Sequence, residues 1–215
     1  MPSLFTYFQS APPFTVWKSH PGQKSRVLIT GGVDGDEYAG IEIAKKLIAD
    51  YNLSIPITVI PIVNLAGYQE KVSYNPLDGR YPKHIFPGSV FDSSSSRLMH
   101  EVSKYTKGVD LWIDLHCGAI GETLFPFAWA PEVYPVLSYL NTRVLVEKSV
   151  NKNIPYVMLE GGESSWIYTL IKNLDKPIKP GWQPNYTNIK YEKYRGQPIT
   201  SNVLWWSDSE FVAAT

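Results

Sequence analysis

The apolar residues of this chain recur with two different periods, which predict strands that alternate with helices. Short, β-branched apolar runs predict buried strands at 26–30, 57–63, 110–115 and 156–159, and further strands are expected at 124–130 and 203–206. Helical spacing predicts helices over 37–50, after the serines 93–96, over 133–150 and around 164–174. This alternation predicts an α/β fold, a three-layer sandwich of helices around a mostly parallel, mixed sheet.

One stretch between these elements is irregular. Residues 65–92 show no clear period and are interrupted by several prolines and glycines, namely Pro76, Gly79, Pro82, Pro87 and Gly88. Long irregular loops are uncommon in compact domains and are usually functional. We therefore expect this segment to contribute to a site.

The C-terminal part of the chain differs from the rest in composition. Residues 1–176 are expected to form the α/β domain, and residues 177–215 a short extension that packs on the same domain. The extension contains Trp182, Trp205 and Trp206. We expect these tryptophans to complete the core or cover a sheet edge, and a subunit contact in a homo-oligomer is the alternative.

Polar side chains follow four of the predicted strands, at the point where each strand ends. Asp34 and Glu37 follow the first strand, Asn64 the second, His116 the strand at 110–115, and Glu160 the strand at 156–159. The carboxyl ends of parallel strands lie at one edge of a sheet, and ligands bind there. The sequence therefore predicts that these side chains meet at one site.

This set of residue types is suited to a catalytic metal ion. A catalytic zinc takes three protein ligands from His, Asp and Glu and keeps one position for water. Asp34 and Glu37 lie three residues apart at a loop-to-helix junction, His116 is the third predicted ligand, and Glu160 is the predicted base. Taken singly, each residue has an ordinary structural explanation, such as a helix cap or a surface turn, but those explanations do not predict a shared edge.

Charge and composition exclude several classes of protein. The 215 residues carry 20 basic and 20 acidic side chains, so no basic surplus favours nucleic acid. No apolar run approaches the ~20 residues of a membrane span, and the N-terminus lacks signal-peptide features, so a cytoplasmic protein without membrane contact is expected. The one cysteine, Cys117, excludes any multi-cysteine metal site.

Five ordered segments resemble the succinylglutamate desuccinylase/aspartoacylase family of zinc carboxypeptidase-like hydrolases. The run 30–37 is similar to the family's Gly-x-His-Gly-x-Glu, and 61–64 to its Pro-x-x-Asn. Residues 76–80 and 85–88 resemble the stretch around its Asp-Gly-x-x-x-Asn-Arg-x-Phe-Pro-Gly motif, and 114–116 and 159–162 match its Asp-Leu-His and its glutamate segment. The resemblance extends over about residues 26–165.

The resemblance implies one divalent metal ion, zinc first of all. Glu37 and His116 occupy two of the family's ligand positions unchanged, and its general base falls on Glu160. Asp34 stands where the family has a histidine. Aspartate binds zinc, but a site with two carboxylates and one imidazole makes a weaker Lewis acid and favours manganese or magnesium more than usual.

The positions expected to bind substrate depart further from the family. Ser73 falls where the resemblance implies an oxyanion-stabilising arginine, and Lys83 and His84 replace the Asn-Arg pair that grips a substrate carboxylate. Arg80 is a candidate substitute for the lost arginine. Together with Asn64, these are the predicted substrate-binding residues, and His84 is alternatively a fourth ligand, a proton donor or a surface residue.

Three functions compete on these residues. The first is a metal-dependent hydrolase of an amide bond, a deacylase or carboxypeptidase-like enzyme acting on a small acylated amino acid or peptide. The second is an inactive relative, without bound metal, that acts as a binding or regulatory protein. The third is a different hydrolysis or transfer reaction on the same scaffold, with His84 joining the site. The substitutions at Asp34, Ser73 and Lys83 motivate the second.

Overall fold

A computed structural model describes residues 14–120, 126–146 and 154–186. The strands are β1 (Trp17–Lys18), β2 (Val27–Gly31), β3 (Ile57–Ile60), β4 (Leu111–His116), β5 (Phe127–Ala130), β6 (Arg143–Val146), β7 (Tyr156–Glu160) and β8 (Asn185–Tyr186). The helices are α1 (Tyr38–Asp50), α2 (Leu65–Glu70), α3 (Ser94–Tyr105) and α4 (Ser164–Lys172), with 3₁₀ turns at Pro82–His84 and Pro135–Tyr139.

The described strands form one mixed sheet in the order β1-β3-β2-β4-β7-β5-β6-β8. The central strands β3, β2, β4 and β7 are parallel, β1 is antiparallel to β3, and β5 is antiparallel to β7. β6 runs parallel to both β5 and β8. The predicted mostly parallel, mixed sheet is thus confirmed.

Helices cover both faces of the sheet. The central strands carry apolar side chains on both faces, and these must be buried. Ala44 and Leu47 of α1 and Ile167 of α4 belong to the core cluster on one face. Leu98 and Met99 of α3 belong to the cluster on the other face. The three-layer sandwich is therefore confirmed, and its central strands are fully buried.

The prediction of a long helix over 133–150 is wrong within the described part. Residues 135–139 form a 3₁₀ turn and Arg143–Val146 form β6. The buried run of Val144, Leu145 and Val146 packs on both faces of the sheet, and such a short apolar run has no period that separates a strand from a helix.

The segment 65–92 is also more regular than expected. It contains α2, whose N-cap Asn64 accepts a hydrogen bond from the backbone N–H of Gly67 at 3.0 Å, and the 3₁₀ turn at Pro82–His84. The predicted cap at the following helix is confirmed, since the Ser93 side chain accepts from the Ser96 N–H.

The C-terminal extension is described only as far as residue 186. β8 pairs with β6, and Trp182 packs against the core cluster that includes α1 and α4. The predicted strand at 203–206, with Trp205 and Trp206, lies outside the described residues. Among the helices of the described part, none is long and apolar enough to cross a membrane.

Candidate metal centre

The structure brings Asp34, Glu37 and His116 together at the carboxyl edge of the sheet. Each offers one ligand atom, these atoms lie within 4.8 Å of one another, and all three residues are buried. The His116 Nδ1 atom lies 2.8 Å from Glu37 Oε2 and 3.8 Å from Asp34 Oδ2. The prediction that strand ends would gather these three residues is borne out by this geometry.

Glycines determine the course of the loop that carries both carboxylates. β2 ends at Gly31, and Gly32 follows with a φ of 59°, a left-handed conformation that glycine adopts without strain. A Cβ atom on Gly35 would lie 2.2 Å from the backbone of Gly67. The loop can therefore pack directly against α2 only because residue 35 is glycine.

A buried hydrogen-bond network fixes the His116 ring. The Asp114 carboxylate lies 3.2 Å from His116 Nε2, and it accepts from the hydroxyls of Tyr156 at 2.9 Å and Thr30 at 2.6 Å. Thr30 in turn accepts from the Trp112 indole N–H at 2.8 Å. Because Nε2 donates to Asp114, Nδ1 is the atom left to face Glu37 and Asp34.

Asp114 is not among the predicted site residues, although a simple sequence signal identifies it. Residues two apart in a strand point to the same face, so Asp114 and His116 share a face of β4. The parallel register places Tyr156 of β7 opposite Trp112 of β4, and the Tyr156 hydroxyl reaches Asp114. A carboxylate two residues before a ligating histidine is a typical partner for its second nitrogen.

Glu160 stands beside the three candidate ligands. It ends β7, lies directly opposite His116 in the parallel register, and is 7% exposed. The pKa of Glu160 is raised to about 8, because burial and the nearby Glu37 and Asp34 carboxylates together outweigh the lowering effect of His116 and Lys83. Its Oε2 atom is buried and has no hydrogen-bond partner within the described residues. The arrangement therefore holds a carboxyl group at the site that is ready to bind or lose a proton near neutral pH.

The acidic groups of the site outnumber its cations. Burial raises the pKa of Asp34 to about 6, against the lowering effect of His116. Burial alone would lower the pKa of His116, but the carboxylates of Glu37 and Asp114 outweigh it and raise that pKa well above its usual value. The excess of carboxylates stabilises a positive charge bound in this pocket.

Lys83 supplies part of that charge. Its ammonium group donates to Asp34 Oδ2, with the Lys83 side chain 20% exposed and that of Asp34 fully buried. Burial alone would lower the pKa of Lys83, but the Asp34 carboxylate raises it more, so the lysine stays charged. Lys83 thus joins the site through Asp34.

The other predicted substrate-binding residues lie in different surroundings. The Asn64 amide group caps α2 and donates to the Tyr74 carbonyl at 3.1 Å. Ser73 donates to Asp36 Oδ2 at 3.0 Å, Arg80 pairs with Asp92 at 3.9 Å, and the exposed His84 packs edge-on to Tyr81. His84 is not among the candidate ligands that the described residues bring together. Substrate binding by these residues stays a prediction.

The donor set fits a divalent cation. Two carboxylates and one imidazole match the ligands of catalytic zinc and also of harder divalent ions. Asp34 Oδ1 is buried and has no hydrogen-bond partner in the described part of the chain, so this carboxylate has unused capacity to bind a positive charge. The Asp34–Glu37–His116 set, hereafter the triad, is the candidate metal centre.

Comparisons with known proteins agree with this picture. The model of the "Succinylglutamate desuccinylase/Aspartoacylase catalytic domain" matches residues 23–165. An N-alpha-acetyl-L-2,4-diaminobutyric acid deacetylase from Halomonas elongata is 28% identical over 120 residues, which are 54% of this chain and 34% of that protein.

Solved structures of the same family share the fold. An aspartoacylase family protein from Mesorhizobium loti superposes with a TM-score of 0.65 at 19% identity, covering 80% of this chain and 64% of that one. A succinylglutamate desuccinylase/aspartoacylase from Rhodobacter sphaeroides gives 0.66 at 20% identity, covering 77% and 60%.

The chain spans about one third of the length of the curated relative and less than two thirds of these structures. The family match nevertheless covers most of this chain and contains the whole triad together with Glu160. The chain belongs to the succinylglutamate desuccinylase/aspartoacylase family.

Proposed function

We propose that this chain is a metal-dependent hydrolase that cleaves the amide bond of a small acylated amino acid. The observation that carries the proposal is the convergence of the triad beside Glu160 at the carboxyl edge of the sheet. The names of its relatives, a deacetylase and desuccinylases, support an N-acyl amino acid as substrate rather than a large peptide.

Asp34, Glu37 and His116 would hold the metal. A divalent ion bound there supplies a Lewis acid and lowers the pKa of water to about 7. Zinc is the first candidate because His116 presents an imidazole nitrogen, and the two carboxylates make manganese or magnesium the next candidates.

Glu160 is the proposed proton carrier. Its carboxylate accepts the proton of the attacking water and then delivers it to the amide nitrogen as the carbon–nitrogen bond breaks. The free, buried Oε2 atom suits this role, since no hydrogen bond within the described residues occupies it. Nearby positive charge from Lys83 and His116 lowers the Glu160 pKa and favours the ionised, proton-accepting form.

The ring of His116 is held by Asp114, so its Nδ1 atom keeps a fixed direction during the reaction. Glu37 is held in a similar way, because its Oε2 atom accepts from the backbone N–H of Cys117 at 3.0 Å. These contacts position the ligands without using any substrate interaction.

The test is hydrolysis of N-acetyl-2,4-diaminobutyrate, N-succinylglutamate and an N-acyl-aspartate, assayed with zinc or manganese. We expect amine release from at least one substrate, lost on chelation and in Glu160→Gln. Turnover that survives both chelation and Glu160→Gln would contradict the proposal.

The second candidate is an inactive binding protein of the same fold. It is favoured by the contacts of Ser73 and Lys83, whose polar atoms bond to Asp36 and Asp34 at positions expected to contact substrate. Tight calorimetric binding of an N-acyl amino acid without turnover at any metal concentration would support it over hydrolysis.

A further inference from the structure

Lys83 is the nearest charged neighbour of the triad in the described structure that is not itself an acid or a histidine. It lies in the 3₁₀ turn at Pro82–His84, and its ammonium group bonds directly to Asp34 Oδ2. Asp34 is the proposed ligand at which the sequence departs from the motif that it resembles. A cation of the protein itself therefore contacts one proposed metal ligand.

The segment that precedes Lys83 is anchored to the rest of the fold. The Asp78 carboxylate accepts from the backbone N–H of Ser95 at 2.6 Å and from its hydroxyl at 2.7 Å, which ties the segment to α3. Pro82, directly before the lysine, is buried. The ammonium group is thus delivered to Asp34 by an anchored backbone rather than by an unsupported loop.

Lys83 bonds to an oxygen of Asp34 that lies near another proposed ligand. The same Oδ2 atom lies 3.8 Å from His116 Nδ1. An ion held by Asp34, Glu37 and His116 would therefore lie close to the ammonium group. Like charges that lie close together in a buried site repel strongly. A metal ion bound there would therefore weaken the bond between Lys83 and Asp34, and that bond would weaken metal binding.

The two partners of this pair also form a matched substitution. The resemblance implies a histidine at position 34 and an asparagine at position 83, neither of which carries the charge of the residue found here. The two positions are 49 residues apart in the chain and touch in the structure. The exchange adds one negative and one positive charge, so Lys83 neutralises the extra carboxylate when no metal is bound.

We propose that Lys83 is an internal cation that competes with the divalent metal for Asp34 and thereby weakens metal binding. The inference rests on the metal centre of the proposed function. Competition of this kind predicts that the metal binds reversibly and that it displaces Lys83 from Asp34 when it binds.

The test is metal affinity, measured by zinc titration against a chromophoric chelator, with the wild type, Lys83→Met, Lys83→Gln and Lys83→Arg. We expect Lys83→Met and Lys83→Gln to bind zinc about 10- to 100-fold more tightly, the range for groups next to metal ligands. Lys83→Arg keeps the charge and should stay within about threefold of the wild type.

Lys104→Met is the matched control, because it removes one lysine from an exposed ion pair with Glu101 on α3. Its zinc affinity should equal that of the wild type. Equal or weaker zinc binding in both Lys83→Met and Lys83→Gln would overturn the competition and leave the metal centre intact.

The two proposals fail in different ways. No zinc binding by the wild type or any Lys83 variant would overturn both the metal centre and the competition. Tighter binding in Lys83→Met without hydrolysis of any substrate would support the competition and count against the proposed activity alone.

Discussion

The two ends of the sheet carry similar charged groups in opposite surroundings. At the amino end, Arg26 bonds to Asp110 at 2.5 Å and also pairs with Asp175, and all three side chains are at least 36% exposed. At the carboxyl end, Asp34, Glu37, Glu160 and His116 are almost completely buried. Both ends join elements that are distant in sequence.

This difference in burial decides what the charges do. Water screens the exposed pairs around Arg26, so they contribute little to the free energy of unfolding. Burial removes that screening at the carboxyl end, where it raises the pKa of Asp34 and Glu160 toward neutral pH. Chemistry is therefore expected at the carboxyl end and structural support at the amino end.

The largest expected effect is on catalysis. Glu160→Gln keeps the shape of the side chain but cannot accept a proton, so kcat should fall about 100- to 10,000-fold. The measurement is the steady-state hydrolysis rate at saturating metal. Asp110→Asn, at the amino end, is the control and should leave kcat unchanged, and a comparable loss there would break the contrast between the two ends.

The pH dependence of stability should also separate the two ends. The pKa of Glu160, about 8, and that of Asp34, about 6, lie above their ordinary values because of burial. A raised carboxyl pKa stabilises the fold at low pH, and that stabilisation is lost as the pH rises through the folded-state value. The metal-free protein should lose roughly 3 kcal/mol of unfolding free energy between pH 5 and pH 8.

Urea unfolding in the presence of a chelator measures this loss. Glu160→Gln should flatten the profile above pH 6, because it removes the group with the higher pKa. A profile that rises from pH 5 to pH 8 in the wild type would show that these carboxyl groups do not govern the stability of the site.

Removing Lys83 should cost more stability than removing an exposed charge. Lys83→Met leaves Asp34 buried without its counter-ion, and we expect the metal-free protein to lose about 2 kcal/mol at pH 8. The loss stays below that of a fully buried pair because Asp34 can bind a proton instead. Chelator-treated Lys104→Met serves as the reference in the same urea experiment.

Asp114 should affect the metal more than the fold. Asp114→Asn weakens the bond that orients His116, so zinc affinity should fall about 10- to 100-fold. Chelator competition measures the affinity, and Ser165→Ala, at an exposed serine of α4, is the control. Unchanged affinity in Asp114→Asn would mean that the ring of His116 is held by other contacts.

The smallest effect is expected at the amino end. Asp110→Asn removes an exposed partner of Arg26 and should change the unfolding free energy by less than about 1 kcal/mol. Urea unfolding at neutral pH provides the value. A loss above that of Lys83→Met would reverse the comparison between the two ends of the sheet.

The triad could be predicted because its parts follow rules that act along the chain. Runs of buried β-branched residues mark the strands, and the polar residue after each run marks its carboxyl end. The strand pattern therefore predicts that His116 and Glu160 lie at the same edge of the sheet, and the parallel register places them side by side.

The features that the sequence did not predict depend on tertiary packing. Arg143–Val146 has too few residues to show a period, and its place between β5 and β8 makes it a strand. The contact of Ser73 with Asp36 depends in the same way on how residues 65–92 lie across the loop after β2.

The fold class and the edge of the sheet at which the reactive groups meet follow from the sequence alone, because hydrophobic periodicity and strand direction are local properties. The family follows from a different signal, the resemblance of five ordered motifs. The hydrogen-bond partner of Asp34, by contrast, is known only from the folded structure. Lys83 is distant in the chain, and no local pattern indicates that its ammonium group bonds to that carboxylate. Whether a buried carboxylate faces a lysine, a proton or a metal depends on the distances between side chains, which exist only in the folded protein.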